Sequence, residues 1–273
     1  MSEPPFAAVA GWPAAHSLSP VMMADWLKAA AIEGRYGVLE IPPERFARAV
    51  RAAAAMGMAG LNVTLPHKTA ALALADTVSE AARAVGAANL LTFCEDGRIA
   101  ADNTDVTGVA AALKSDTGSG PAVLIGAGGA ARAALFHLSR QDREIRLVNR
   151  TRDTAERLLA EFGLSAPVYC EPDDALGGAG LVINATSLGM AGKPALAPDF
   201  SKCATGALAF DMVYTPLVTD FLASARCAGL QTADGLAMLI GQARPSFEAF
   251  FGAAAPADDG VRALLEAKLG GRA

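Results

Sequence analysis

Along the first third of the chain, short apolar runs alternate with longer stretches whose apolar residues recur at helical spacing. FAAVAG (6–11) is an apolar run closed by glycine, the pattern of a buried parallel strand. Ser19-Pro20 then offers an N-cap and a first-turn proline for a helix through VMMADWLKAA. YGVLEI reads as a strand, PERFARAVRAAAAM as a helix, GLNVTL as a strand and HKTAALALAD as a helix. ANLLTF and RIAAD form a hairpin around Glu95-Asp96-Gly97. Strands separated by helices of this length predict a parallel or mixed sheet.

KSDTGSGP (114–121) breaks the pattern as a polar, glycine-rich linker. The alternation then restarts with AVLIGAGGAARAAL, EIRLVNR, TAERLLAEF, PVYC, LVINAT and ALAFDMV, a βαβ series of the dinucleotide-binding kind. From Gly235 on the chain is helical, through LAMLIGQARPSFEAFF and DDGVRALLEAKL. The fold class is therefore α/β.

Composition narrows the picture. With 273 residues, 52% of them hydrophobic, the chain can bury a large core as one large domain or two smaller ones. No apolar run approaches the ~20 residues that span a bilayer, and the N-terminus lacks a basic region followed by a long apolar one. The expectation is a soluble, cytoplasmic protein. The net charge of −5 argues against a nucleic-acid or membrane surface. Cys94, Cys170, Cys203 and Cys227 are scattered without metal-ligand spacing, so reduced, partly buried thiols and no structural metal are expected. Small-molecule chemistry is the class left standing.

The chemistry has two centres. Gly126-Ala127-Gly128-Gly129-Ala130-Ala131 is GxGxxA directly after an apolar strand and before a helix. Gly126 suits the tight turn, Gly128 a close approach of backbone to a pyrophosphate, and Ala131 tight helix–sheet packing. Phosphates would lie over the helix N-terminus, where unpaired N–H groups favour anions. The following strand ends in Asn149, Arg150, Thr151 and Arg152, with no carboxylate where a ribose-binding acid would stand. Guanidinium forks there suit a 2′-phosphate, which predicts NADP over NAD; the alternative is a solvated loop with Thr151 capping the helix.

The second centre is the polar stretch GLNVTLPHKT (60–69). Reduction of a ketone builds negative charge on its oxygen, so a site must deliver a proton or positive charge there. Lys68 and Asp105 are the candidates, an aspartate beside a lysine serving to hold the ammonium. Ser17 and Ser19 either cap the following helix or bind a substrate carboxylate. Asn62, Asn89 and Asn103 are either turn residues or amides for a polyhydroxylated substrate.

GWPAAHSLSP, GLNVTLPHK, VGAAN, DNTD, GAGGAAR, NRT, NATSLGM, DMVYTPL and ADGLAMLIGQA stand in the order seen in the shikimate dehydrogenase family, which the chain resembles from about residue 6 to 252. The resemblance implies an N-terminal α/β substrate domain over 1–105, completed by helices from 238–273, and a Rossmann domain over 106–237 that hinges against it. It implies reversible NADPH-dependent reduction of 3-dehydroshikimate to shikimate, on the way to chorismate, by a monomer or homodimer. Lys68 and Asp105 match the catalytic pair. Ser17 and Ser19 match the carboxylate-binding serines with Tyr214 beside them, and Asn62, Thr64, Asn89 and Gln242 match further substrate contacts. Gly126, Ala127, Gly128, Gly129 and Ala130 match the pyrophosphate loop, and Asn149, Arg150, Thr151 and Arg152 the 2′-phosphate clamp. Met212 and Gly235 fall near the nicotinamide, and Thr186 is a further cofactor contact. His67 stands where the family varies, which makes Lys68 the chemical residue. Leu90, Val106 and Ala237 depart from the family's usual threonine, glycine and glycine, and the first two bear on substrate preference, leaving quinate or a related cyclitol carboxylate as the alternative substrate, and a non-catalytic NADP-binding module as the alternative of another class.

Overall fold

The computed structural model describes residues 3–270; the last three residues of the 238–273 expectation lie outside that range. The chain divides into two compact units, one made of the described residues up to Asp105 and from Gln242 on, the other of Val106–Gly241.

The first unit carries strands β1 (Phe6–Gly11), β2 (Arg35–Glu40), β3 (Gly60–Val63), β4 (Thr77–Val78), β5 (Leu90–Phe93) and β6 (Ile99–Asp102). Its helices are α1 (Ser19–Ala29), α2 (Phe46–Ala55), α3 (Lys68–Leu74) and α4 (Glu80–Val85). The sheet order is β2-β1-β3-β5-β6-β4. β1 pairs in parallel with β2 and β3, whereas β5 runs antiparallel to β3 and, as their hairpin demands, to β6. Phe46 and Val50 of α2 pack with Leu61, Val63 and Leu91 on one face of this sheet. Burial of side chains of this size contributes roughly 1.5–3 kcal/mol each.

Helix α1 departs from expectation at its start. Leu18, not Ser19, occupies the N-cap and makes no side-chain cap bond. Ser17 Oγ instead accepts the Ser19 N–H at 3.2 Å, so the hydroxyl that serves the helix start sits two residues before the first helical one. The expected helix from PERFARAV opens as a 3₁₀ turn, Pro43–Arg45, the tighter form common at helix starts, where a proline without an N–H gives up no hydrogen bond.

The second unit carries β7 (Ala122–Ile125), β8 (Ile145–Val148), β9 (Val168–Tyr169), β10 (Leu181–Asn184), β11 (Leu208–Asp211) and β12 (Gln231–Ala233). Read from one edge they lie β9-β8-β7-β10-β11-β12, all parallel, which is the doubly wound dinucleotide-binding order. Helices α5 (Asp105–Ala112), α6 (Gly129–Leu138) and α7 (Arg152–Glu161) precede α8 (Asp220–Cys227). Separate cores cover the two faces, around Leu135, Leu147 and Phe210 on one and Phe200, Phe221 and Leu222 on the other. Both faces being buried explains why AVLI, LVIN and LAFD are continuous apolar runs rather than alternating ones. α9 (Gly235–Phe251) and α10 (Asp258–Gly270) complete the chain.

The stretch 114–121 is not the linker its composition suggests. It lies within the second unit, and Arg143 pins it there. The guanidinium meets Asp116 at 2.6 Å, with the two side chains only 3% and 5% exposed, and donates to the carbonyls of Ser119 and Gly120. All four cysteines are free, but Cys170 and Cys227 are exposed rather than partly buried. Among the described residues no helix is long and apolar enough to cross a membrane, and no cluster of three or more His, Cys, Asp or Glu could hold a metal.

Candidate active site

The polar stretch after β3 is arranged by the parallel pairing of β3 with β1. Thr64 N–H donates to Ala10 O at 2.9 Å and Trp12 N–H to Leu65 O at 3.0 Å, which brings Thr64 against Gly11. A Cβ at Gly11 would collide with the Thr64 methyl, so glycine is required for this approach. His67 takes the N-cap position of α3 and is 2% exposed. Its Nε2 donates to Ile41 O at 2.7 Å, since a carbonyl can only accept, and its ring stacks on Phe46 at 4.3 Å. The imidazole is thus spent on the core. Lys68 follows as the first helical residue, with Nζ 2.6 Å from Asp105 Oδ2.

From that pair a hydrogen-bonded network runs through the first unit. Asp105 Oδ1 accepts from Asn89 Nδ2 at 2.8 Å, and Asn89 Oδ1 accepts the Thr104 N–H at 2.7 Å. Thr104 Oγ1 lies 3.3 Å from Gln242 Oε1. Asn62 donates its amide hydrogens to Ser246 Oγ (2.7 Å) and Asn89 O (3.3 Å), and its Oδ1 accepts from the Tyr36 hydroxyl at 2.7 Å. The Ser19 hydroxyl bonds to the same phenol. Burial pushes the Tyr36 hydroxyl far above the ordinary phenol range, outweighing that serine bond, so it stays a neutral donor.

The structure therefore brings together Ser19, Asn62, Lys68, Asn89, Asp105 and Gln242. Two asparagines hold their surroundings through their amides. Asn62 has both amide hydrogens committed to protein partners and so holds the network together. Asn103 is a turn residue: its Nδ2 donates to Ala87 O, and its Oδ1 accepts the Asp105 N–H. Tyr36, Thr104 and Ser246 escaped the sequence reading. Tyr36 and Ser246 lie in an otherwise ordinary strand and helix, with no local pattern to mark them, and Thr104 stands inside the DNTD motif, where only Asn103 and Asp105 drew attention.

In the second unit, Gly126 has φ +111°, and a Cβ there would come within 2.9 Å of Thr186 Cγ2. Gly128 and Gly129 are exposed, and a Cβ on either would meet nothing within 4 Å, so the backbone ahead of α6 stands open beside half-buried Ala127 and Ala130. Thr186 Oγ1 donates to Asn184 Oδ1 at 2.7 Å, and Asn184 Nδ2 to Asp211 Oδ1 at 2.9 Å. Asp211 also accepts from Thr219 Oγ1 and the Val213 N–H; burial nonetheless raises its carboxyl above the usual range. This web, buried at Asn184, Asp211 and Thr219, fixes the segments after β10 and β11, where Thr186, Met212 and half-buried Tyr214 stand. Gly235 passes directly against the Met212 carbonyl, which leaves no room for a side chain.

Beyond β8, Arg150, Thr151 and Arg152 are exposed, and Arg152 pairs with Glu156 at 3.8 Å. Asn149 Nδ2 donates to Thr151 O at 2.8 Å, shaping the turn. Thr151 holds the N-cap position of α7 but makes no side-chain cap bond. No acid stands at the end of β8, and an exposed guanidinium follows; this donor set fits a 2′-phosphorylated adenosine. Leu90 is 4% exposed and lines a groove with Pro245 and Ala249, while Val106 and Ala237 pack on the core of the second unit. The three departures from the family pattern are thus packing residues.

A doubly wound nucleotide unit lacking the ribose-binding acid, joined in one chain to a unit with a lysine–aspartate pair in an amide-rich network, defines a nicotinamide-dependent oxidoreductase. Residues 9–91 match the family described as the shikimate dehydrogenase substrate binding domain. A protein of Paracoccus denitrificans (strain Pd 1222) named shikimate dehydrogenase (NADP(+)) is 47% identical over 266 residues, covering 94% of each chain. One of the same name from Maricaulis maris (strain MCS10) is 48% identical, covering 97% of each. The crystal structure of shikimate 5-dehydrogenase from Thermus thermophilus in complex with NADP(H) and shikimate superposes with a TM-score of 0.84 at 36% identity, over 97% of this chain and 98% of that one. The chain belongs to the shikimate dehydrogenase family.

Proposed function

We infer that this protein is an NADP-dependent shikimate dehydrogenase, interconverting 3-dehydroshikimate and shikimate. The observation that carries this reading is the 2.6 Å Lys68–Asp105 pair within a network of amides and hydroxyls suited to a polyhydroxylated ring. NADPH, when bound, supplies the hydride for the carbonyl carbon. Lys68 Nζ gives a proton to the carbonyl oxygen in that direction and takes it back in the reverse one. Asp105 orients the ammonium through Oδ2 while Asn89 fixes the carboxylate through Oδ1.

Ser17 and Ser19 bind the substrate carboxylate, Asn89 and Gln242 bind the ring hydroxyls, and Thr64 and Tyr214 are further substrate contacts. Asn62 acts one step back, locking Tyr36, Ser246 and the Asn89 backbone in register. The unit built on β1–β6 is the substrate domain and the one built on β7–β12 the cofactor domain. There Gly126, Ala127, Gly128, Gly129 and Ala130 receive the pyrophosphate over the start of α6. Asn149, Arg150, Thr151 and Arg152 take the adenosine 2′-phosphate, Met212 and Gly235 bound the nicotinamide, and Thr186 is a further cofactor contact.

The test is steady-state oxidation of shikimate and of quinate with NADP and with NAD. The largest kcat/KM belongs to shikimate with NADP; a larger value for quinate, or none for either, overturns the assignment.

A further inference from the structure

Half-buried Ser17 lies on the loop that leaves β1 at Gly11, and buried Ser19 is the first residue of α1, which that loop enters. Inside the loop, Ser17 N–H donates to Ala14 O at 3.0 Å and Ser19 N–H to Ser17 Oγ at 3.2 Å. The serines therefore take their geometry from Ala14 and its neighbours. That turn is in turn held by one side chain from another strand. Glu40 Oε1 accepts the N–H of Ala14 at 2.9 Å and of Ala15 at 3.1 Å. Glu40 is the last residue of β2, paired with Gly11, and the Ile41 N–H donates to Gly11 O, so the carboxylate projects from a fixed base.

Two adjacent backbone donors converging on one carboxylate oxygen form charge-assisted bonds, stronger than neutral ones. These bonds, with the charge of nearby His16, hold the Glu40 carboxyl below the usual carboxylate range. Arg45 and Arg48 line the same groove as Glu40. A glutamate is otherwise a poor choice beside a loop meant for an anionic substrate, since its charge repels the ligand. Its use is explained if the order it imposes on the loop outweighs that repulsion.

We propose that Glu40 is a positioning residue for substrate binding: its carboxylate fixes the Ala14–Ala15 turn and thereby sets Ser17 and Ser19 to receive the substrate's carboxylate. The inference rests on the serine assignment above. It is tested on the intact protein with Glu40→Ala, Glu40→Gln, Ser17→Ala and Ser19→Ala, measuring kcat, KM for shikimate, KM for NADP and thermal stability. Glu40→Ala raises KM for shikimate about tenfold with kcat and KM for NADP within about twofold, the pattern of lost binding rather than lost chemistry. Glu40→Gln, which keeps an acceptor oxygen, recovers most of the loss. An unchanged KM for shikimate in Glu40→Ala, while the serine variants raise it, overturns the role of Glu40 alone. Equal losses in both KM values and kcat overturn it too, by showing general destabilisation. Serine variants that leave KM for shikimate unchanged overturn the serine assignment, and the inference with it.

Discussion

At Lys68 and His67, adjacent residues meet opposite surroundings. The ammonium reaches a carboxylate oxygen at 2.6 Å and remains 27% exposed, open to a ligand, whereas the imidazole is sealed between Phe46 and the Ile41 carbonyl. Lys68→Ala should lower kcat about 10²–10⁴-fold, the usual worth of positioned acid–base catalysis, with NADP affinity by titration unchanged. His67→Ala should leave the pH profile and the kcat/KM of folded protein within about threefold of the parent. It should cost about 2 kcal/mol or more in urea denaturation, because the Ile41 carbonyl loses its partner and a cavity opens. The sequence exposed Lys68 and Asp105 as candidates but could not join them across 37 positions. It showed nothing of Tyr36 or Glu40, whose roles come from partners distant in sequence, Asn62 and Ser19 for the first and the Ala14–Ala15 turn for the second.

At the level of elements, the apolar runs and helical periods located most strands and helices, because burial on one face or two writes itself into residue order. The two strands that escaped, β4 and β12, have two and three residues, too short for any period to register. The arginine clamp on 114–121 was hidden for another reason: Arg143 reads as one more surface charge until the fold closes over it. Two predictions belong here. The end of β8 and start of α7 offer guanidinium to a 2′-phosphate, so Arg150→Ala should weaken NADP about tenfold or more and NAD within about twofold, by titration. β2 contributes Tyr36, whose folded pKa is raised. The unfolded chain ionises first, so this group's stabilising effect is complete below the ordinary phenol value of about 10 and is lost as pH rises above it. Tyr36→Phe should therefore flatten the fall in thermal stability between pH 9 and 11, marked at about one unit either side of that value; an unchanged fall contradicts the buried phenol.

For the whole molecule, fold and reaction class were legible because nine short motifs in order leave little freedom, and the parallel β9-to-β12 sheet agrees with the glycine turn that announced it. What order alone could not supply was the division of labour inside the polar set, which depends on which amide hydrogens are already spent. The account stands on proton transfer by Lys68, steadied by Asp105. The most direct measurement is single-turnover oxidation of shikimate with saturating NADP by the intact protein and by Lys68→Ala, following the absorbance of reduced nicotinamide, with binding of both ligands checked by calorimetry. The account predicts a fast rise for the parent and, for the variant, retained ligand binding with the rise slowed at least about 100-fold. A variant that binds both ligands and turns over at the parent's rate would contradict it.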